Sequence, residues 1–419
     1  MALQRADPYT VEPIRSCQRG IARNGDFKRA EFVQTGTIPP YALWLFAPFA
    51  VLPFAWAAAL YGLFIAGCTV ATVGAARKLS TLPLWALALA IGSSDGLTSL
   101  INGQLVPIAL LAAALSALWL RERRYDRAAI AAACTMLEPH LGVLVCVSAF
   151  IWVPQMRRIL GGAAVLLAVL SVATAGLRLS AEYVTQAIPA QVHAEVAYAG
   201  QYSVASLAYD LGLPESVDAI LGGIFSLAMG AAGIWMAGLI ARRHGLAAAI
   251  VVIPPAFSLL GAYTHLPPFA FVVLAAVVLM SVTRSAPLWG AIVLCAVPWG
   301  MLVNYAGGPL TAALISGGLV AAAAPSATAL RAFAASLTAF AFLWVLRSIP
   351  NATAPAGAAS ILPAGALAAD QWSAIVHAQH PFRPWWLLVK LPTWGGAVAF
   401  AYASARAALR EKYGALAGN

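Results

Sequence analysis

Long apolar stretches alternate with short basic clusters along almost the whole chain. Thirteen apolar runs can be read between Phe54 and Ser404, beginning with Phe54–Ala76 and ending with Trp386–Ser404. Runs approaching 20 residues predict helices that cross a bilayer. Because the apolar residues are continuous and do not alternate with period two, a transmembrane β-barrel is excluded. The expected fold is all-α, a polytopic transmembrane bundle of about 11–13 helices. Two runs, Pro83–Gly92 and Ala128–Leu137, have ten residues each. At about 1.5 Å per residue they are too short for roughly 30 Å of hydrocarbon. Broken helices survive at membrane depth only when packed in protein or lining a cavity. Asp95–Gln104 and Glu138–His140 are therefore expected to sit deep in a polar cavity that opens outward.

Composition strengthens this picture. The chain is 62% hydrophobic and only 10% charged, against about 45–50% and about 25% for soluble domains. The net charge of +10 raises nucleic acid as a partner, but the placement of the cations removes it. They cluster between apolar runs, at Arg77-Lys78, Arg121–Arg127, Arg157-Arg158, Arg242-Arg243, Arg284, Arg331 and the tail with Arg406, Arg410 and Lys412. With all of these on the cytoplasmic side the runs alternate without conflict, as the positive-inside rule requires. The other side then receives residues 1–53, Ser93–Gly103, Glu138–His140, Gly176–Asp218, Tyr263–Leu266, Asn304–Pro309 and Pro350–Trp385. The long segments are all on that side, and long loops are usually functional. The chain divides into an extracytoplasmic polar segment (1–53) with an interfacial helix at Tyr41–Phe49, a membrane domain (54–405) and a cytoplasmic tail (406–419). Placing residues 1–53 outside with no preceding helix leads to the expectation of a start truncated or misassigned upstream of Met1; the alternatives are an N-terminus that stays inside, a helix count changed by one, or a shortened paralogue. The five cysteines have no metal-ligand spacing and read as small apolar side chains.

Several residues could carry chemistry. Glu138-Pro139-His140 stands between two apolar halves, where a carboxylate and an imidazole are costly against lipid. Glu138 is a candidate general base, its pKa raised by burial, with His140 beside it; a structural pair is the alternative. Asn102 and Gln104, at the start of the third run, can hydrogen-bond a sugar or phosphate near a helix N-terminus, or simply cap it. Arg178 can hold a lipid phosphate or anchor a helix end. Gln201 and His265 are further polar candidates for substrate. The region also contains Glu182, Tyr183, Glu195, Tyr198 and Tyr202. His377 and His380 lack a third ligand nearby, so no metal is expected. Gly357–Ala369 reads as a linker, and Trp385 and Trp386 as interfacial aromatics.

The order of several segments resembles glycosyltransferase family 87, membrane mannosyltransferases of the GT-C class that use polyprenyl-phosphate sugars. The segments are Asp7–Tyr9, Pro39–Phe54, Gly103–Arg124, Glu138–Gly142, Arg157-Arg158, Gln201–Leu207 and the turn near His265. The resemblance implies a GT-C bundle with outer-face loops and no nucleotide-binding domain or cofactor. It implies a hexosyltransferase in the bacterial inner membrane that inverts the anomeric carbon. The donor would be a polyprenyl-phosphate sugar, mannose-like, and the acceptor a lipid or glycan on the extracytoplasmic face. The family's usual catalytic Asp, soon after the first membrane helix, has no match in Asp7 or Asp26 and would lie upstream of Met1. An inactive relative and a transporter of lipid-linked sugar are the alternatives.

Overall fold

The computed structural model describes residues 7–23, 37–198, 200–259, 261, 263–323, 328–349, 362–378 and 383–409. Asp26, His380, Gly357–Ser360, Arg410 and Lys412 lie outside them. Among the described residues the regular structure is helical, and extended pairing is limited to an isolated bridge between Thr10 and Leu367. Among the described residues five helices are long and apolar enough to cross a membrane: Phe54–Leu79, Leu84–Asn102, Pro154–Val196, Ile220–His244 and Ala329–Ser348. Seven shorter apolar helices accompany them. The protein is an all-α polytopic membrane bundle.

The core forms around two of the shorter helices. Ala249–Ser258 is buried along its whole length, and so is Ala270–Leu279. Both are apolar on every side, a composition suited only to the middle of a bundle. The long helices behave differently. In Pro154–Val196 the most apolar window is only 6% buried by protein, so its Leu and Val side chains are left for lipid.

Consecutive helices run back and forth, which sorts the turns to two ends. Arg121 donates to the Lys78 carbonyl, Arg284 donates to Thr81 Oγ1 at 2.9 Å, and Arg243 donates to the Ala408 carbonyl. One end is therefore rich in arginine. The turns at Glu138, Thr264 and Asn304 gather at the other end. The N-terminal segment joins that second end. Tyr9 Oη donates to the Ile38 carbonyl at 3.0 Å, and Val11 N donates to the Ala366 carbonyl at 3.0 Å. Burial pushes the Tyr9 phenol well above its ordinary pKa, with the Asp7 carboxylate adding to it. Arg178 and Arg347 are cations at this second end; Arg347 donates to the Tyr305 carbonyl.

Two expected outer loops are corrected. Leu84–Asn102 is one continuous helix, because the polar stretch Gly92–Gly96 becomes a π-helical turn rather than a loop. Its polar groups are satisfied internally. Ser93 Oγ donates to the Leu89 carbonyl at 2.5 Å, and Asp95 accepts from Thr69 at 3.3 Å and Ser99 at 3.1 Å. Hydroxyls that bond back to the preceding turn let Ser and Thr remain helical. Similarly, much of 176–218 is helical, with a bend at Gly176 (φ 80°) and a second π-helical turn at Tyr183–Ala187. At Tyr41–Phe49 the expected interfacial helix is a 3₁₀ segment, Pro40–Phe46, followed by one α turn.

Lys390 is buried within the last helix. Its Nζ donates to Asp210 Oδ2 at 2.8 Å and to Ser206 Oγ at 2.9 Å, with 1% and 2% side-chain exposure for the ion pair. A buried pair that loses one member leaves an uncompensated charge. Lys390→Met is expected to cost about 3–5 kcal/mol, read as a fall in thermal stability of the purified protein. Lys390→Met with Asp210→Leu should regain most of that loss.

A candidate glycosyl-transfer cavity

The helix break at Glu138 begins the site. A 3₁₀ turn, Thr135–Leu137, ends one half-helix, and Pro139 starts the next, Pro139–Trp152. Glu138 takes a non-helical conformation between them. Gly142 makes the tight return possible: a Cβ there would stand 2.5 Å from the Thr135 carbonyl oxygen. Tyr41 Oη steadies the break by donating to the Met136 carbonyl at 2.6 Å.

A cavity of about 790 Å³ opens beside this break. Its walls include Asn102, Gln104, Glu138, His140, Glu195 and His265. Five of the residues singled out in the sequence thus meet around one space, from segments more than 120 positions apart. Arg178 and Gln201 do not line it. Arg178 is 82% exposed and pairs with Glu182 at 3.6 Å on its own helix. Gln201 is fully buried and its Oε1 accepts from the Thr264 and Tyr202 backbone N–H groups, so it braces the wall from behind. Tyr202 N in turn donates to the Thr264 carbonyl at 2.7 Å.

A relay of rings links the two carboxylates. Glu138 Oε2 lies 3.7 Å from His140 Nδ1. The His140 ring meets Tyr263 edge-on at 5.7 Å, and Tyr263 meets His265 edge-on at 5.0 Å. His265 Nε2 lies 3.2 Å from Tyr263 Oη and 3.6 Å from Glu195 Oε2. Tyr263 is raised well above the ordinary phenol pKa, first by burial and then by the Glu195 and Glu138 carboxylates. It remains a neutral donor and acceptor.

Glu195 was not singled out as a site residue, because its segment reads as a loop. In the structure it lies on Ile188–Val196, one turn after Gln191. Its Oε1 accepts from Gln191 Nε2 at 2.7 Å and Trp372 Nε1 at 2.9 Å. Its Oε2 is buried and has no hydrogen-bond partner. His140 Nε2 and Trp386 Nε1 are in the same condition, and both residues line the cavity. Buried polar atoms are normally paired, so three bare ones around a single cavity mark a place built for a polar ligand. The i,i+4 pair Gln191/Glu195 was the available sequence signal for this wall.

Among the described residues, no Lys or Arg lines the cavity. Positive potential comes from the backbone instead. The helices Val106–Arg121, Pro139–Trp152 and the one begun by Pro267–Phe269 all start at the wall, and none has a side-chain cap. At the first two, free N–H groups and the helix dipole favour an anion; at the third, Pro267 and Pro268 have no N–H and Phe269 N donates to the Leu266 carbonyl. His377 contacts Ser373 in its own helix, Ala368–Ala378.

The structure is an apolar membrane bundle with a polar cavity at one end, which holds two carboxylates and, among the described residues, no Lys or Arg. The sequence profile of Glycosyltransferase family 87 matches residues 37–262, over half of the chain. The chain belongs to this family and is a membrane glycosyltransferase. The matched region contains Glu138, His140 and Glu195 and stops just before Tyr263 and His265. No curated protein and no solved structure matches the chain.

Gly142→Ala is expected to push the Thr135–Leu137 turn out of place, at a cost of about 1–3 kcal/mol from overpacking. Thermal melting should show the loss, and transferase activity should fall by more than the melting shift accounts for.

Proposed function

We propose that the protein moves a hexose from a polyprenyl-phosphate carrier to a hydroxyl acceptor, with inversion, in the cavity beside Glu138 and Glu195. The observation that carries this reading is the bare Oε2 of Glu195, buried at the cavity wall and held by Gln191, Trp372 and His265. A carboxylate fixed through one oxygen and open at the other is the arrangement a general base requires. In this mechanism Glu195 takes the proton of the acceptor hydroxyl as its oxygen attacks the anomeric carbon. The bond from that carbon to the phosphate oxygen breaks, and the electron pair leaves with the lipid phosphate. His140, Asn102, Gln104 and the N-termini of Val106–Arg121 and Pro139–Trp152 meet the negative charge that grows on the leaving phosphate. Glu138 sets the orientation of His140.

A donor with a single phosphate suits a cavity whose positive character comes from dipoles and neutral donors. Ile101, Phe46 and Leu266 at the wall offer apolar surface to a polyprenyl chain. The arginine-rich end of the bundle lies opposite the cavity, which under the positive-inside rule supports a reaction on the extracytoplasmic face of a plasma membrane. Mannose or a related hexose follows from the family resemblance. The neutral alternative, transport of a lipid-linked sugar, would not need a bare carboxylate.

The test is transfer by purified protein in lipid nanodiscs, with a panel of polyprenyl-phosphate hexoses and a hydroxyl acceptor. Glu195→Gln is expected to lower turnover by about 10²–10⁴-fold, the usual worth of a general base, with donor binding retained. Glu138→Gln should weaken donor use by a smaller factor. Transfer by Glu195→Gln at more than a tenth of the normal rate would remove Glu195 from this role. No transfer from any donor would remove the reading.

A further inference from the structure

The arginine-rich end holds a second cavity, of about 740 Å³. It lies between the C-terminal ends of Glu215–His244 and Arg383–Leu409 and the turn that leads into Ala286–Ala296. Arg242, Arg243, His244, Arg284 and Arg406 line it, and among the described residues no Asp or Glu does. So many guanidinium groups around one space repel each other unless an anion joins them.

These arginines are not all consumed by the fold. Arg243 and His244 cap the end of the last helix through the Ala408 and Ala407 carbonyls. The Arg242 guanidinium sits over the Trp152 ring, 4.6 Å from its centroid. Arg284 is tethered through one nitrogen to Thr81 Oγ1 at 2.9 Å. Arg406 makes no hydrogen bond or ion pair among the described residues. Opposite them, Ser285 occupies the N-cap of Ala286–Ala296, yet makes no cap hydrogen bond, and its Oγ is buried with no partner. An open helix N-terminus, an orphaned hydroxyl and guanidinium groups converge on the same cavity. Together these groups match the tetrahedral oxygens of a phosphate, which Arg binds through paired N–H donors.

We propose that this cavity, at the end of the bundle opposite the glycosyl-transfer site, binds a phosphate group. Two sources share that chemistry: the head group of an anionic phospholipid and free phosphate. Basic pockets between membrane helices are suited to anionic head groups. The proposal does not depend on the reaction assigned to the other cavity.

The full chain is placed in nanodiscs of phosphatidylcholine alone or of an equal mixture with phosphatidylglycerol, and inorganic phosphate is added to the first in a parallel arm. Retained lipid is read by native mass spectrometry and stability by thermal melting. A lipid site predicts that the protein keeps phosphatidylglycerol in preference to phosphatidylcholine and melts higher with it. Arg284→Ala with Arg406→Ala should then weaken that retention about 30-fold. A free-phosphate site predicts that inorganic phosphate alone raises the melting temperature, and that the same double variant abolishes the rise. Arg284→Lys with Arg406→Lys keeps the charge, so it guards against simple misfolding; it should bind more weakly than the native chain because the paired donors are lost. The proposal is overturned if neither probe, phosphatidylglycerol nor inorganic phosphate, separates the native chain from the double variant.

Discussion

The cavity beside Glu138 depends on one clamp, between the segment at Gln201-Tyr202 and the turn at Thr264. The Thr264 backbone is held from both sides: its N–H donates to the Gln201 side chain, and its carbonyl accepts from Tyr202 N. Non-helical backbone inside an apolar bundle has no water to satisfy it, so such a turn exists only where protein groups supply the missing partners. The clamp does so, and in the same act fixes Tyr263 and His265, its immediate neighbours. Those two rings connect the Glu138–His140 pair to Glu195. Lose the clamp and the relay loses its middle.

The rest of the site follows the same logic of supplying polarity without net charge. A Lys or Arg placed in a deep cavity would carry a heavy desolvation cost. The chain uses three helix starts that end at the wall, made abrupt by Pro107, Pro139 and Pro267. A proline at the first turn gives up an N–H that was free in any case, so the break costs little. The cations are concentrated at the other end, where Arg121, Arg157, Arg243 and His244 hydrogen-bond backbone carbonyls and so answer the negative ends of helix dipoles. The two ends are electrically distinct.

Much of this was legible in the sequence, and the failures have physical causes. Glu138-Pro139-His140 announced itself because proline, an acid and an imidazole interrupt an apolar run. Asn102, Gln104 and His265 were legible as polar residues at helix starts and turns. The GSSDG stretch was read as a loop because its composition is that of a loop; what overrides composition is local, with Thr69 and Ser99 satisfying Asp95 inside the bundle. Once 176–218 is taken as a loop, Gln191 and Glu195 lose their i,i+4 relation and the strongest carboxylate vanishes from view. Arg178 illustrates the reverse error. Its charge made it a natural phosphate ligand, but its helix turns it to the outside, against Glu182. Lys390 and Asp210 are 180 positions apart, and no local pattern couples them.

The placement of the two carboxylates separates their roles under the proposed mechanism. Glu195 is tied through Oε1 to two donors, and these hydrogen bonds hold the carboxylate plane while leaving Oε2 to its histidine and the cavity. Glu138 is the cap of a half-helix and faces an imidazole at a longer 3.7 Å. A base must approach within hydrogen-bond reach of the acceptor hydroxyl, and the residue with a bare, aimed oxygen meets that requirement. Glu138, at the positive end of a helix, has its charge already answered by that dipole and serves best by holding His140. Glu195 is anchored by two hydrogen-bond donors while Glu138 meets only the His140 imidazole, and this asymmetry is what distinguishes a fixed base from a positioning group.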